Sequence, residues 1–125
     1  MPYQLTALQK NGYLHFVASG ENTRENVLGY LKEALKECQA RKCFKALIEE
    51  RLEGTRLGML DVFHIALEMS FKARGVMQAV AFVEVFAENE LSKFAGNLAA
   101  SRGLGVKVFA NVEEAEAWIS KEQER

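Results

Sequence analysis

Three carboxylates, Glu49, Glu50 and Glu53, fall within five residues, with Arg51 among them and Arg56 just beyond. Carboxylates grouped this way carry out acid–base chemistry or hold a cation when their surroundings push their pKa values apart. Solvated and paired with arginines, they do neither. Asp61, His64 and Glu68 form a second group, spaced three and four apart on one helical face as metal ligands can be. No second cluster completes a coordination shell, so an exposed polar stripe is the simpler expectation. His15 is a structural or surface residue. No Ser-His-Asp order, glycine-rich phosphate loop or cysteine–histidine pair can be assembled. An enzyme is therefore the least supported class, and no cofactor or metal is expected.

The acidic group needs a strand to hold it and a helix to follow. Ala46-Leu47-Ile48-Glu49-Glu50 is a short apolar run ending in carboxylates; Arg51 to Arg56 is a polar loop; Leu57-Gly58-Met59-Leu60 opens an apolar helix. In parallel α/β folds this junction, at the carboxyl end of a strand, is where ligands and partners are met.

The remaining elements follow in order. Tyr3 to Gln9 and Tyr13 to Ala18 are β-forming and flank Asn11-Gly12, a dipeptide suited to the positive φ angles of a hairpin turn. Asn22 or Thr23 caps a helix whose inner stripe is Val27, Leu28, Leu31, Leu35 and Cys38, closing at Arg41-Lys42. Phe44 to Glu49 is a strand covered on both faces. The helix from about Leu57 to Arg74 leaves only Asp61, His64, Glu68 and Lys72 polar, a pattern of burial on two sides. Val76 to Glu84 is strongly β-forming and the best candidate for a central strand. A third helix starts near Glu88-Asn89-Glu90 and turns Leu91, Phe94, Ala95, Leu98 and Ala99 inward. Gly103-Leu104-Gly105 leads into the strand Val106 to Phe109. Asn111 caps the last helix, with Glu114 as capping-box partner and Val112, Ala115, Trp118 and Ile119 inside. The parallel strands begin near residues 13, 44, 77 and 106, a nearly constant repeat. This predicts right-handed crossovers and a mixed, mostly parallel sheet of five strands with four helices, in a single α/β domain over residues 1–125.

Bulk properties narrow the partners. With 125 residues, 49% of them hydrophobic, the chain is long enough to bury a core. Its formal charge of −1 gives no field for attracting nucleic acid, and Lys42, Phe44 and Lys45 make too weak a basic patch. Cys38 and Cys43 lack the spacing of a metal or redox motif and read as idle thiols in a reducing compartment. No leader pattern and no membrane-length apolar run occurs, so a cytoplasmic protein without an integral membrane segment is expected.

The segments Leu47-Ile48-Glu49-Glu50-Arg51-Leu52-Glu53-Gly54, Ser101-Arg102-Gly103-Leu104-Gly105-Val106-Lys107-Val108-Phe109 and Glu113-Glu114-Ala115-Glu116-Ala117-Trp118-Ile119 together resemble one known family. They are similar to the SpoIIAA-like, or STAS, domains of bacterial anti-sigma factor antagonists and sulfate-transporter tails. The resemblance is strongest to the small bacterial members described as STAS/SEC14-related. It implies a SpoIIAA-like fold and non-enzymatic recognition, in a subgroup without an established biochemical role. In the antagonists a loop Asp-Ser-Ser-Gly-Leu-Gly carries a phosphorylated serine. Glu53-Gly54-Thr55-Arg56-Leu57-Gly58 lies over it, with Thr55 at that position and Leu57 and Gly58 matching. The aspartate, first serine and first glycine are replaced by Glu53, Gly54 and Arg56. A phosphate on Thr55 would add about −1.5 to −2 charges near a helix amino terminus, with Arg51 or Arg56 at hand. The alternative is that Thr55 is simply the helix cap.

Two functions follow from these residues. One is a regulatory or protein-interaction module, switched at Thr55 and meeting its partner through Glu49, Glu50, Arg51, Glu53, Gly54, Arg56 and Gly58. The other is a carrier of a small apolar ligand or lipid among Met59, Phe63, Met69, Phe71, Phe82 and Phe86, for which plain core is the competing explanation. The partner expected is another protein, with a homodimer formed over the apolar second helix.

Overall fold

A computed structural model describes residues 3–84 and 90–121. Strands β1 (Gln4–Gln9) and β2 (Leu14–Glu21) form the expected antiparallel hairpin, with Gln9 opposite Leu14. The Lys10 N–H donates to the Tyr13 carbonyl at 2.8 Å to close the turn. Of the pair Asn11-Gly12 only the glycine has a positive φ, 94°.

Thr23, not Asn22, caps α1 (Arg24–Arg41): its hydroxyl accepts the Asn26 N–H at 3.1 Å. The helix ends at Lys42, whose left-handed backbone returns an N–H to the Cys38 and Gln39 carbonyls. Both thiols are free, and burial pushes Cys38 up to about 12.

Strand β3 (Lys45–Glu53) runs well past the apolar stretch that predicts it. It pairs in parallel with β2 from Leu14 opposite Ala46 to Glu21 opposite Glu53. Hydrogen bonding to a neighbour of matched length keeps polar residues extended where composition alone suggests a loop. After it come α2 (Met59–Ala73), β4 (Ala79–Val83), α3 (Glu90–Ser101), β5 (Val106–Phe109) and α4 (Val112–Lys121). Asn111 caps α4 as expected, its Oδ1 accepting the Glu114 N–H at 2.8 Å. The predicted start of the third helix at Glu88-Asn89 lies outside the described residues, as do the side chains of Leu91 and Ala99.

The strands lie in the order β1-β2-β3-β4-β5, antiparallel only between β1 and β2. Each parallel step moves the same way across the sheet, so right-handed crossovers place α1, α2 and α3 on one face. The α4 helix takes the other face, where Ala115 and Ile119 close over Leu47, Ala79, Ala81, Val83 and Phe109. Lys45 points to that side, fully enclosed, and donates to the Ile119 carbonyl at 2.8 Å.

The α2 helix departs from expectation. Its main backbone neighbours are α1 and α3, so it bridges those helices over the centre of the sheet. Its apolar residues divide accordingly. Val62, Ile65, Ala66, Met69 and Ala73 turn inward, whereas Met59, Leu60 and Phe71 are 66%, 68% and 75% exposed. Among the described residues, therefore, nothing buries α2 on two sides. The polar stripe is solvent-accessible as expected, with His64 and Lys72 exposed, while Glu68 pairs with Lys32 at 3.0 Å and Asp61 approaches Arg24 at 3.8 Å, both across to α1. Among the described residues no helix is long and apolar enough to cross a membrane.

Candidate functional site

Because strand side chains alternate, β3 sends Glu49 and Glu50 to opposite faces of the sheet. The acidic group of the sequence is thus two separate sites and an exposed residue, Glu53. On the α4 face, Glu49 Oε1 meets His15 Nε2 at 3.1 Å and Oε2 accepts from Arg51 Nε at 2.7 Å. Burial pushes this carboxyl up, but the contacts with Arg51 and His15 outweigh it and hold Glu49 below the usual range. An ion pair so satisfied is structural.

Glu50 enters a different environment. With Ala46, Ile48 and Leu52 it lines a cleft of about 220 Å³ between the sheet and α2. Val80 and Phe82 of β4 and Val106 and Val108 of β5 continue the floor. Inward-facing α1 residues form one wall, Ala95 and Gly96 of α3 the other, and α2 the roof. The roof is raised by small residues: Ala66, Ser70 and Ala73 recur at helical spacing where larger side chains would reach the strands. Ser70 returns its hydroxyl to the Leu67 carbonyl at 3.1 Å, so it presents little polarity to the cleft.

The walls are apolar except toward the carboxyl side of the sheet, where Glu50 of β3, Glu84 just after β4, Arg56 and Asn22 line the cleft. Tyr30 of α1, completely buried, donates its hydroxyl to Glu50 Oε2 at 2.5 Å. Glu50 has no other hydrogen-bond partner among the described residues. Burial is the main reason that its carboxyl is raised to about 7; the Glu84 charge adds to this, while Tyr30 and Arg56 oppose it. Burial and the adjoining Glu50 also keep Tyr30 well above the ordinary tyrosine range, so it remains a donor.

The remaining predicted residues lie outside this cleft or only border it. Gly54 takes a φ of 110°, which favours glycine, and turns the chain out of β3. Gly58, not Thr55, is the N-cap of α2. Thr55 is exposed three residues earlier, and its carbonyl accepts from Asn22 Nδ2 at 3.3 Å. A capping role for Thr55 does not match this placement. Of the proposed apolar lining, Met69 and Phe82 are in the cleft. Met59 and Phe71 are on the outer surface, and Phe63 stacks on Phe94 with centroids 6.3 Å apart. Phe86 lies outside the described residues. Among the described residues no three His, Cys, Asp or Glu side chains are grouped to hold a metal ion.

Sequence reasoning missed Tyr30 and Glu84. Tyr30 falls one turn after Asn26 on the inner side of α1, a polar pair on a buried stripe that signals polar partners inside. In the sequence Glu84 reads only as the end of a strand.

No family model matches the chain, and no curated protein matches it. Among solved structures it is similar to an uncharacterised protein of the DUF3478 family from Shewanella loihica PV-4, described as having a SpoIIAA-like fold. The two are 22% identical, with a TM-score of 0.58 over 94% of this chain and 93% of that one. The fold is SpoIIAA-like, as the resemblance in sequence implies.

Proposed function

We propose that this domain is a non-enzymatic binding module that takes a small, mainly apolar molecule into the cleft beneath α2. The observation that carries this is the cleft itself, about 220 Å³ and apolar on its floor, walls and roof. An engineered apolar cavity of roughly 150 Å³ binds benzene, so this one suits a ligand of about nine non-hydrogen atoms. The Cys38 thiol, pushed up to about 12, stays un-ionised near neutrality and is a poor nucleophile.

The test is native mass spectrometry of the protein from its own host, alongside Ala66→Phe, which puts a ring under the roof. The wild type is expected to carry an extractable apolar molecule and the variant to be folded and empty. Equal loading of both would overturn the assignment to this cleft.

A regulatory role in which a protein partner covers the outer side of α2 is supported by the exposure of Met59, Leu60 and Phe71 beside the exposed Thr55 loop. Light scattering separates its two forms: a dimer mass assigns the face to a second copy. Loss of partner binding on Thr55→Glu would place the contact at the loop.

A further inference from the structure

We propose that the cleft selects a ligand with a cationic head, a primary amine on an apolar body, held against the Glu50 and Glu84 carboxylates at its polar end. This rests on the cleft being a binding site and specifies what it binds.

The two carboxylates come from adjacent strands. Glu49 is opposite Val83 in the parallel register, so the next residues, Glu50 within β3 and Glu84 just after β4, follow in step. Both line the cleft. Neighbouring strands are about 4.8 Å apart, close enough for one ammonium to reach both side chains. Arg56 is the one cation that lines the cleft among the described residues, so the formal charge there is negative when both acids are ionised. An anionic head would be repelled, and a neutral hydroxyl would gain no charge interaction. An ammonium has three donors and no acceptor, whereas an ionised carboxylate only accepts. The fit is specific to Glu50, which accepts one hydrogen bond from Tyr30 and has no other hydrogen-bond partner among the described residues. Such charge-assisted bonds, formed away from bulk water, are among the stronger polar contacts available.

The groups facing Glu50 are Tyr30 from α1, Glu84 after β4 and Arg56 from the loop before α2. Burial, reinforced by Glu84, keeps its proton on up to about pH 7. An ammonium seated there favours the ionised form, so amine binding near pH 6.5 releases a proton to solvent. No such release accompanies binding of a neutral molecule of the same length.

The experiment compares octylamine, 1-octanol and octanoate by titration calorimetry at pH 6.5 in two buffers of different ionisation enthalpy. The protein used is first shown by native mass spectrometry to be free of ligand. Octylamine is expected to bind at least about tenfold tighter than octanol, the scale of one charge-assisted hydrogen bond, and to release a fraction of a proton. Glu50→Gln preserves the Tyr30 acceptor and is expected to remove both the tenfold preference and the proton release. Glu84→Gln provides a second variant that reduces the preference without touching Tyr30. Octanol binding as tightly as octylamine, or octanoate binding tightest, would overturn the cationic head while leaving the cleft occupied. Failure of all three to bind would overturn the cleft reading itself.

Discussion

Glu50→Gln should make the protein more stable, and only at the alkaline end. A carboxyl raised from the ordinary 4.5 to about 7 binds its proton more tightly folded than unfolded. Its contribution to stability is therefore fully present below pH 4.5 and is lost as the pH climbs through about 7. At about 1.4 kcal/mol per pH unit, the span between those two values amounts to roughly 3 kcal/mol, an upper figure because buried sites relax and admit water. Glutamine keeps the shape and the Tyr30 acceptor but has no charge to bury. At pH 5 the variant and the wild type should differ by less than about 0.5 kcal/mol. By pH 9 the variant should be about 2–3 kcal/mol more stable, equivalent to roughly 10 °C in melting temperature for a domain of this size. The assay is urea unfolding from pH 5 to pH 9, followed by far-UV circular dichroism and by the fluorescence of the single tryptophan, Trp118. A difference that does not change with pH, or a variant less stable at pH 9, would refute the account of a carboxylate buried against Glu84.

Gly105→Ala places a Cβ 2.9 Å from the Gln78 carbonyl oxygen, which is backbone and cannot swing away; thermal unfolding should show a loss of about 1–3 kcal/mol. Lys45→Ala removes the donor to the Ile119 carbonyl and should cost about 2–3 kcal/mol, with faster amide exchange concentrated in α4. Glu49→Gln removes a carboxylate held below the usual range, so the variant should lose stability at pH 7 and the difference should shrink as acidification protonates the wild-type carboxyl; a loss that does not change with pH would argue against the His15 and Arg51 pairing. Thr55→Glu changes an exposed loop side chain and should leave the unfolding midpoint in urea nearly unchanged, within about 0.5 kcal/mol, so that any effect on partner binding reports the loop itself.

Local chemistry in the sequence determined a good deal. The Asn11-Gly12 turn, the Asn111 cap and the glycine after β3 are short-range devices, and their residues state their roles directly. The spacing of four strand starts carried the crossover topology, since parallel strands need a helix-length connection and right-handedness then orders the sheet. The site was legible only as a location. The cluster Glu49-Glu50-Glu53 looked like a unit because its members are adjacent in sequence, and strand pairing with β2 then drew them into a strand whose pleat sent Glu49 and Glu50 to opposite faces. Only the tertiary structure brought Tyr30 and Glu84 to Glu50, across 20 and 34 residues of chain. It also decided that α2 would rest on α1 and α3 with its small residues inward and Met59, Leu60 and Phe71 outward. Hydrophobic periodicity records that a helix has an apolar side. Whether that side is pressed onto a sheet, held above it over a cleft, or left facing solvent depends on the lengths and positions of the helices beside it, which are non-local facts.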